Sequence, residues 1–154
     1  MKNLMMLALA GSLSTASLAM ASGTPAQLET VLKAGSDYGI TRFHSIEFDD
    51  DARERVEVEG WLADGAYVEL DMNDDGSLGR EQRRQRSGEP TGLSAEELRS
   101  YVEAARQEGL AGIEEIDVDA GGRIEIDGVD EAGHELEIDF RQGDMAPVKV
   151  ERDQ

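Results

Sequence analysis

Arg55-Val56-Glu57-Val58-Glu59-Gly60 returns 68 residues later as Arg123-Ile124-Glu125-Ile126-Asp127-Gly128. Each copy alternates apolar and acidic residues with a period of two, the pattern of a strand with one buried and one wet face. The likeness continues on both sides. Val68-Glu69-Leu70-Asp71 matches Leu136-Glu137-Ile138-Asp139 at the same offset, and Gly65 matches Gly133. Upstream the offset is 70: Thr24 meets Ser94, Leu28 meets Leu98, Gly39 meets Gly109, Ile46 meets Ile116 and Phe48 meets Val118. One two-residue deletion reconciles the offsets, so the chain reads as an internal repeat.

Each copy opens with a helix. Thr24 and Ser94 are N-cap residues, and Gln27 and Glu97 three positions on complete capping boxes. Leu28, Val31 and Leu32, and Leu98, Tyr101, Val102 and Ala105, form apolar stripes at helical spacing. Three alternating strands follow, with further strands expected near Leu78 and near Val148-Lys149-Val150. Links as short as Asp64-Gly65 and Ala132-Gly133 require antiparallel neighbours. The expected fold is α+β: two tandem modules, each one helix packed on its own 3–4-stranded antiparallel sheet. The expected boundaries are 22–86 and 94–154, with 87–93 as a linker.

Residues 1–21 read as a secretory leader: Lys2, an apolar run from Leu4 to Ala10, and Ala19-Met20-Ala21 as the cleavage site. The expected location is therefore periplasmic or secreted, without membrane insertion once the leader is removed. No cysteine is present, so stability must come from a packed core. The 154 residues carry 34 acids against 15 lysines and arginines, a formal net charge of −19. Such a chain repels nucleic acid and anionic membranes and tolerates cationic peptides, metal ions and basic proteins. Arg80, Arg83, Arg84 and Arg86 are an exception, and are expected to end the first module and face an acidic surface, the other reading being a basic patch for an anionic partner, which the rest of the chain would repel.

The strands Val56-Glu57-Val58-Glu59-Gly60 and Tyr67-Val68-Glu69-Leu70-Asp71, with Asp64-Gly65 and Asp75-Gly76, resemble the PepSY family of exported domains. The resemblance extends over both copies as a tandem pair. It implies a fold similar to β-lactamase inhibitory proteins and a role in binding or restraining peptidases, with no catalytic residue to carry over. The second copy departs after Phe140, where Arg141-Gln142-Gly143-Asp144 replaces the Asp-rich turn.

Two places distinguish the copies. Asp71, Asn73 and Asp75 fall at the first three ligand positions of a calcium loop, with Gly76 following and Glu81 one residue short of the final ligand position. The same stretch also reads as an Asp/Asn/Gly hairpin turn, which the repeat favours because the second copy keeps the strand and loses the acids. Calcium is the only cofactor the sequence suggests. Trp61, the single tryptophan, has Val129 as its counterpart and is expected near a hairpin tip, with Tyr67 on the outward face beside it. An exposed pair of this kind would anchor a protein partner, and Trp61 could equally pack against the other module. His44 and His134 occupy non-equivalent positions, and no nucleophile or phosphate motif appears. The expected function is an exported, non-enzymatic binding or inhibitory module acting through protein contacts. The alternative is divalent-cation or cationic-peptide binding through the acidic turns and sheet face.

Overall fold

A computed structural model describes residues 22–49 and 55–153. The leader lies outside them, as do Asp50 and Asp51, which with Asp49 form an acidic turn in the sequence. The elements run α1 (Pro25–Tyr38), β1 (Ile40–Asp49), β2 (Arg55–Leu62), β3 (Tyr67–Asn73), β4 (Leu78–Arg84), α2 (Ala95–Gln107), β5 (Gly112–Val118), β6 (Arg123–Val129), β7 (Glu135–Arg141) and β8 (Lys149–Arg152).

Both capping boxes form. The Gln27 amide donates to Thr24 Oγ1 at 3.2 Å, and the Thr24 amide donates to Gln27 Oε1 at 2.7 Å. Ser94 and Glu97 repeat the exchange at 3.2 and 2.9 Å. Each box satisfies two amides that the first helical turn would otherwise leave unpaired. Gly39 and Gly109 end their helical segments at φ of 123° and 111°.

The strands form one antiparallel sheet in the order β4-β3-β2-β1-β5-β6-β7-β8. This corrects the expectation of a separate sheet under each helix. A helix-then-meander leaves its first strand with an open edge, and pairing β1 with β5 closes two such edges at once. The joining ladder is short and centred on Ile46 opposite Ile116, the residues that match in the repeat. Its flanks are reciprocal. Leu93, before α2, exchanges backbone hydrogen bonds with Phe43 at 2.7 and 2.9 Å, and Gly23, before α1, does so with Ile113 at 2.7 and 3.0 Å.

Both helices cover the same face, bridged by Arg99 Nε on the Glu29 carboxylate at 2.8 and 2.9 Å. Their apolar stripes and the inward strand residues make one core. Burial runs in the same order through residues 31–40 and 101–110. Gly60 and Gly128 have a packing role rather than a turn role. A Cβ on Gly60 would lie 2.5 Å from the Arg42 carbonyl oxygen, and one on Gly128 only 1.9 Å from that of Gly112. Register shifts between Phe43 and Ser45 and between Ile113 and Glu115 place a bulge at His44 and another at Glu114. Bulges re-aim the side chain they carry.

Candidate functional site

The face away from the helices is acidic, and the register aligns its acids. Asp71, Glu57, Glu47, Glu115, Asp127, Glu137 and Glu151 stand directly opposite one another in a row from β3 to β8. At the β4 end the row closes on Arg80, opposite Asp71. Like charges directly opposite destabilise a sheet. Burial, joined by the neighbouring carboxylates, pushes the Glu57 and Glu115 carboxyls up, and Asp127 up to about 7. In the second half Arg123 offsets part of this charge. It pairs with Glu125, with Asp139 at 3.0 Å and with Glu137 at 3.8 Å.

At the sheet end where β2 meets β3, the halves differ. In the first, Trp61 and Tyr67 pack edge to face at 5.1 Å between ring centres, and His44 stands 5.9 Å from Tyr67. The Arg86 guanidinium lies 4.3 Å above the Tyr67 ring. The Tyr67 hydroxyl donates to Glu59, and Arg84 pairs with Glu69. Desolvation and the Glu59 carboxylate raise the Tyr67 phenol. At the matching positions of the second half stand Glu114 for His44, Asp127 for Glu59, Val129 for Trp61 and Glu135 for Tyr67. There a cavity of about 320 Å³ opens, lined by Glu114, Asp127, Gly128, Glu135, Leu136, Glu137, Glu151 and Asp153. Glu114 Oε1 and Asp127 Oδ1 are buried without a hydrogen-bond partner. Lys149 reaches Glu137 at 2.9 Å and also pairs with Glu151. Among the described residues Glu114, Asp127, Glu135 and Asp153 make no ion pair.

The expected exposure of the aromatic pair is corrected. Trp61 lies within β2 at 3% exposure and Tyr67 at 1%. Tyr67 is on the acidic face, as alternation requires, and Arg86 covers it. The turn residues separate too. Asp71 points to the acidic face, with carboxylate oxygens of Glu57 and Glu69 within 4.8 Å. Asn73 Nδ2 donates to Ser77 Oγ at 2.9 Å, and Asp75 Oδ1 accepts from the Ser77 amide at 2.9 Å. Those bonds shape the β3–β4 hairpin, and hydrogen bonds from Ser77 hold the Asp75 carboxyl below its ordinary range. Glu81 stands opposite Leu70, on the helix side, where it accepts from the Tyr38 hydroxyl at 2.9 Å. Asp71 and Glu81 therefore lie on opposite faces of the sheet. Glu114, Asp127 and Glu135 did not stand out in the sequence. The signal was there in the mismatches His44/Glu114 and Tyr67/Glu135 between otherwise matching copies.

Residues 88–151 match the PepSY_2 family model, peptidase propeptide and YPEB domain. The matched PepSY segment takes in α2, β5, β6 and β7 and reaches Glu151 in β8. It contains every residue lining the cavity except Asp153. No curated protein matches the chain. Among the described residues no helix is long and apolar enough to cross a membrane.

Proposed function

We propose that this chain is an exported, non-catalytic module that acts through protein contacts and modulates a peptidase or another protein of the cell envelope. The observation that carries the reading is the PepSY match over residues 88–151. A propeptide engages its peptidase by surface contact, which calls for a stable scaffold with a distinctive surface rather than a catalytic group. The single core beneath two helices supplies the scaffold, and the acidic face supplies the surface. The first half is read as a second copy of the same module. In support are the sequence offset, the matched burial, the Ile46–Ile116 pairing and the reciprocal bridges at Leu93 and Gly23. Export rests on the leader pattern of residues 1–21.

The test is to add excess purified protein to the secreted and envelope peptidase fractions of its source organism. Casein hydrolysis is the readout, with cross-linking and mass spectrometry to identify the contact. The expected result is a severalfold fall in one peptidase activity and a cross-link from that enzyme to residues 88–151. Unchanged hydrolysis together with no cross-linked envelope protein would sink the reading.

A further inference from the structure

We propose that the open β8 edge, with the carboxylate pocket beside it, takes up an extended cationic segment of a protein partner as a ninth strand. This rests on the protein-contact reading and names the chemistry of the partner.

Three observations support it. First, β8 is an edge strand with no neighbour beyond it in the sheet among the described residues. All four of its residues are exposed, and Val148 and Val150 expose 60% and 40% of their surface there. An unpaired edge is a template for strand addition, with side-chain pockets providing selectivity. Second, the edge carries acids, Glu151 and Asp153, besides Lys149, which pairs with Glu137 and Glu151, and Arg152, which turns to the Glu108 carbonyl. Glu151 faces Glu137, and the Asp153 amide donates to the Glu135 carbonyl at 3.2 Å. Inward from them, Glu114 and Asp127 line a cavity of about 320 Å³, and each has one buried oxygen without a hydrogen-bond partner.

Third, the first half shows what such a place holds. There β4 runs beside β3, and its Arg84 pairs with Glu69. Beyond the end of β4, Arg86 reaches back over Tyr67, whose hydroxyl bonds Glu59. The first half thus supplies one guanidinium to a carboxylate from its edge strand and a second, just beyond that strand, to the Tyr67 ring. In the second half the register puts Asp153 where Arg84 stands and Glu151 where Gln82 stands. Because β8 stands where β4 stands, a strand laid along its outer side, with Arg or Lys at alternate residues, would meet Glu151 and Asp153 and extend toward the pocket mouth, giving this end of the second half the cation that Arg84 supplies in the first. Its intervening apolar residues would cover Val150. At a net charge of −19 a second copy of this chain is a poor occupant, so the partner is a basic protein.

The test is fluorescence anisotropy on the full chain at about physiological salt. The probe is a labelled peptide of about ten residues alternating Arg and Val, a length that fills one strand. Its control is the same peptide N-methylated on alternate amides, which keeps the charge and blocks strand pairing. The expected result is saturable binding of the first peptide and at least about tenfold weaker binding of the second. Glu151→Lys with Asp153→Lys should weaken binding about tenfold or more. Glu57→Lys with Asp71→Lys, the same charge change on the first half, should alter it less than about twofold. Asp127→Asn, nearly isosteric, decides the matter if the β8 variant does not fold, and should weaken binding severalfold. Equal binding of the two peptides, equal loss in the two double variants, or an unchanged affinity in Asp127→Asn would each overturn the proposal. If the peptide fails while a peptidase is still inhibited, this inference falls and the protein-contact reading stands. If the peptide binds at β8 while no peptidase or envelope partner responds, the reverse holds.

Discussion

The ends of the sheet at β2–β3 and at β6–β7 are built on matching positions, yet one is filled and the other open. In the first half Trp61 and Tyr67 occupy the space over the acidic face, and Arg84 and Arg86 supply the cations. In the second half Val129 and Glu135 replace the rings, and a cavity opens where Glu114, Asp127, Glu135 and Asp153 make no ion pair among the described residues. Matched frameworks with unmatched contents separate what holds the fold from what is free to act. Capping boxes, core stripes and close-approach glycines serve the fold in both halves. The residues that differ between the halves are where recognition is to be sought.

The largest effect should come from the filled end. Tyr67→Ala empties a fully buried ring position and leaves Glu59 without its donor, so it should cost about 4 kcal/mol in urea unfolding. Glu135→Ala, at the matching position, removes an exposed acid from an acidic cluster and should leave stability unchanged or slightly higher. Equal costs would break the contrast between filled and open ends.

The two close-approach glycines sharpen it next. Gly128→Ala would force a Cβ to within 1.9 Å of a backbone oxygen, against 2.5 Å for Gly60→Ala. Gly128→Ala should destabilise by about 3 kcal/mol, with Gly60→Ala costing less. The reverse order would mean that the bulge at His44 is the more tightly packed of the two.

The open end should also make stability depend on pH. Burial, joined by the neighbouring carboxylates, pushes Asp127 up to about 7 in the folded protein, from its ordinary value of 3.8. Between those values the folded state holds a proton that the unfolded chain has released, so stability should rise as pH falls from about 8 to about 5. Glu57, Glu114 and Glu115 are shifted upward and act in the same sense. Asp75, Asp130 and Glu151 are shifted downward, so their contribution is lost only at more acid pH. With solvent screening, Asp127 should account for about 1 kcal/mol of the gain. Thermal melts across that range should show the rise, and Asp127→Asn should remove most of it. A flat profile in the unaltered protein would mean that water reaches the pocket carboxylates freely.

The smallest effect is at Arg86. Arg86→Ala removes the cation over Tyr67 and should cost about 0.5–1 kcal/mol. It should also shift Trp61 emission to the red, because the guanidinium shields the aromatic pair beside it. An unchanged spectrum would show that Trp61 is buried by the strands alone.

Much of this fold was legible in the sequence. Thr24 with Gln27 and Ser94 with Glu97 announced both helix starts, and the alternation around Val56 and Ile124 announced strands with one acidic face. The four arginines after Gly79 were expected to meet an acidic surface, and Arg84 does so at Glu69. The turn at Asp75 was legible as a hairpin. What alternation could not show was that Asp71 and Glu81 would face opposite ways, because that depends on the register of β3 against β4. The covering of Tyr67 was also hidden, since it comes from Arg86, which reaches back from beyond the end of β4.

The sequence by itself determined the helices, their caps, the strands and the side of each strand that is wet. These follow from contacts a few residues apart and from periods of 3.6 and 2. Only the tertiary structure decided that the two meanders share one sheet, that acids from β3 to β8 align in a row, and that the second half carries a pocket where the first carries rings. Edge pairing, register and bulges set those features. They join residues far apart in the chain, so no local pattern encodes them.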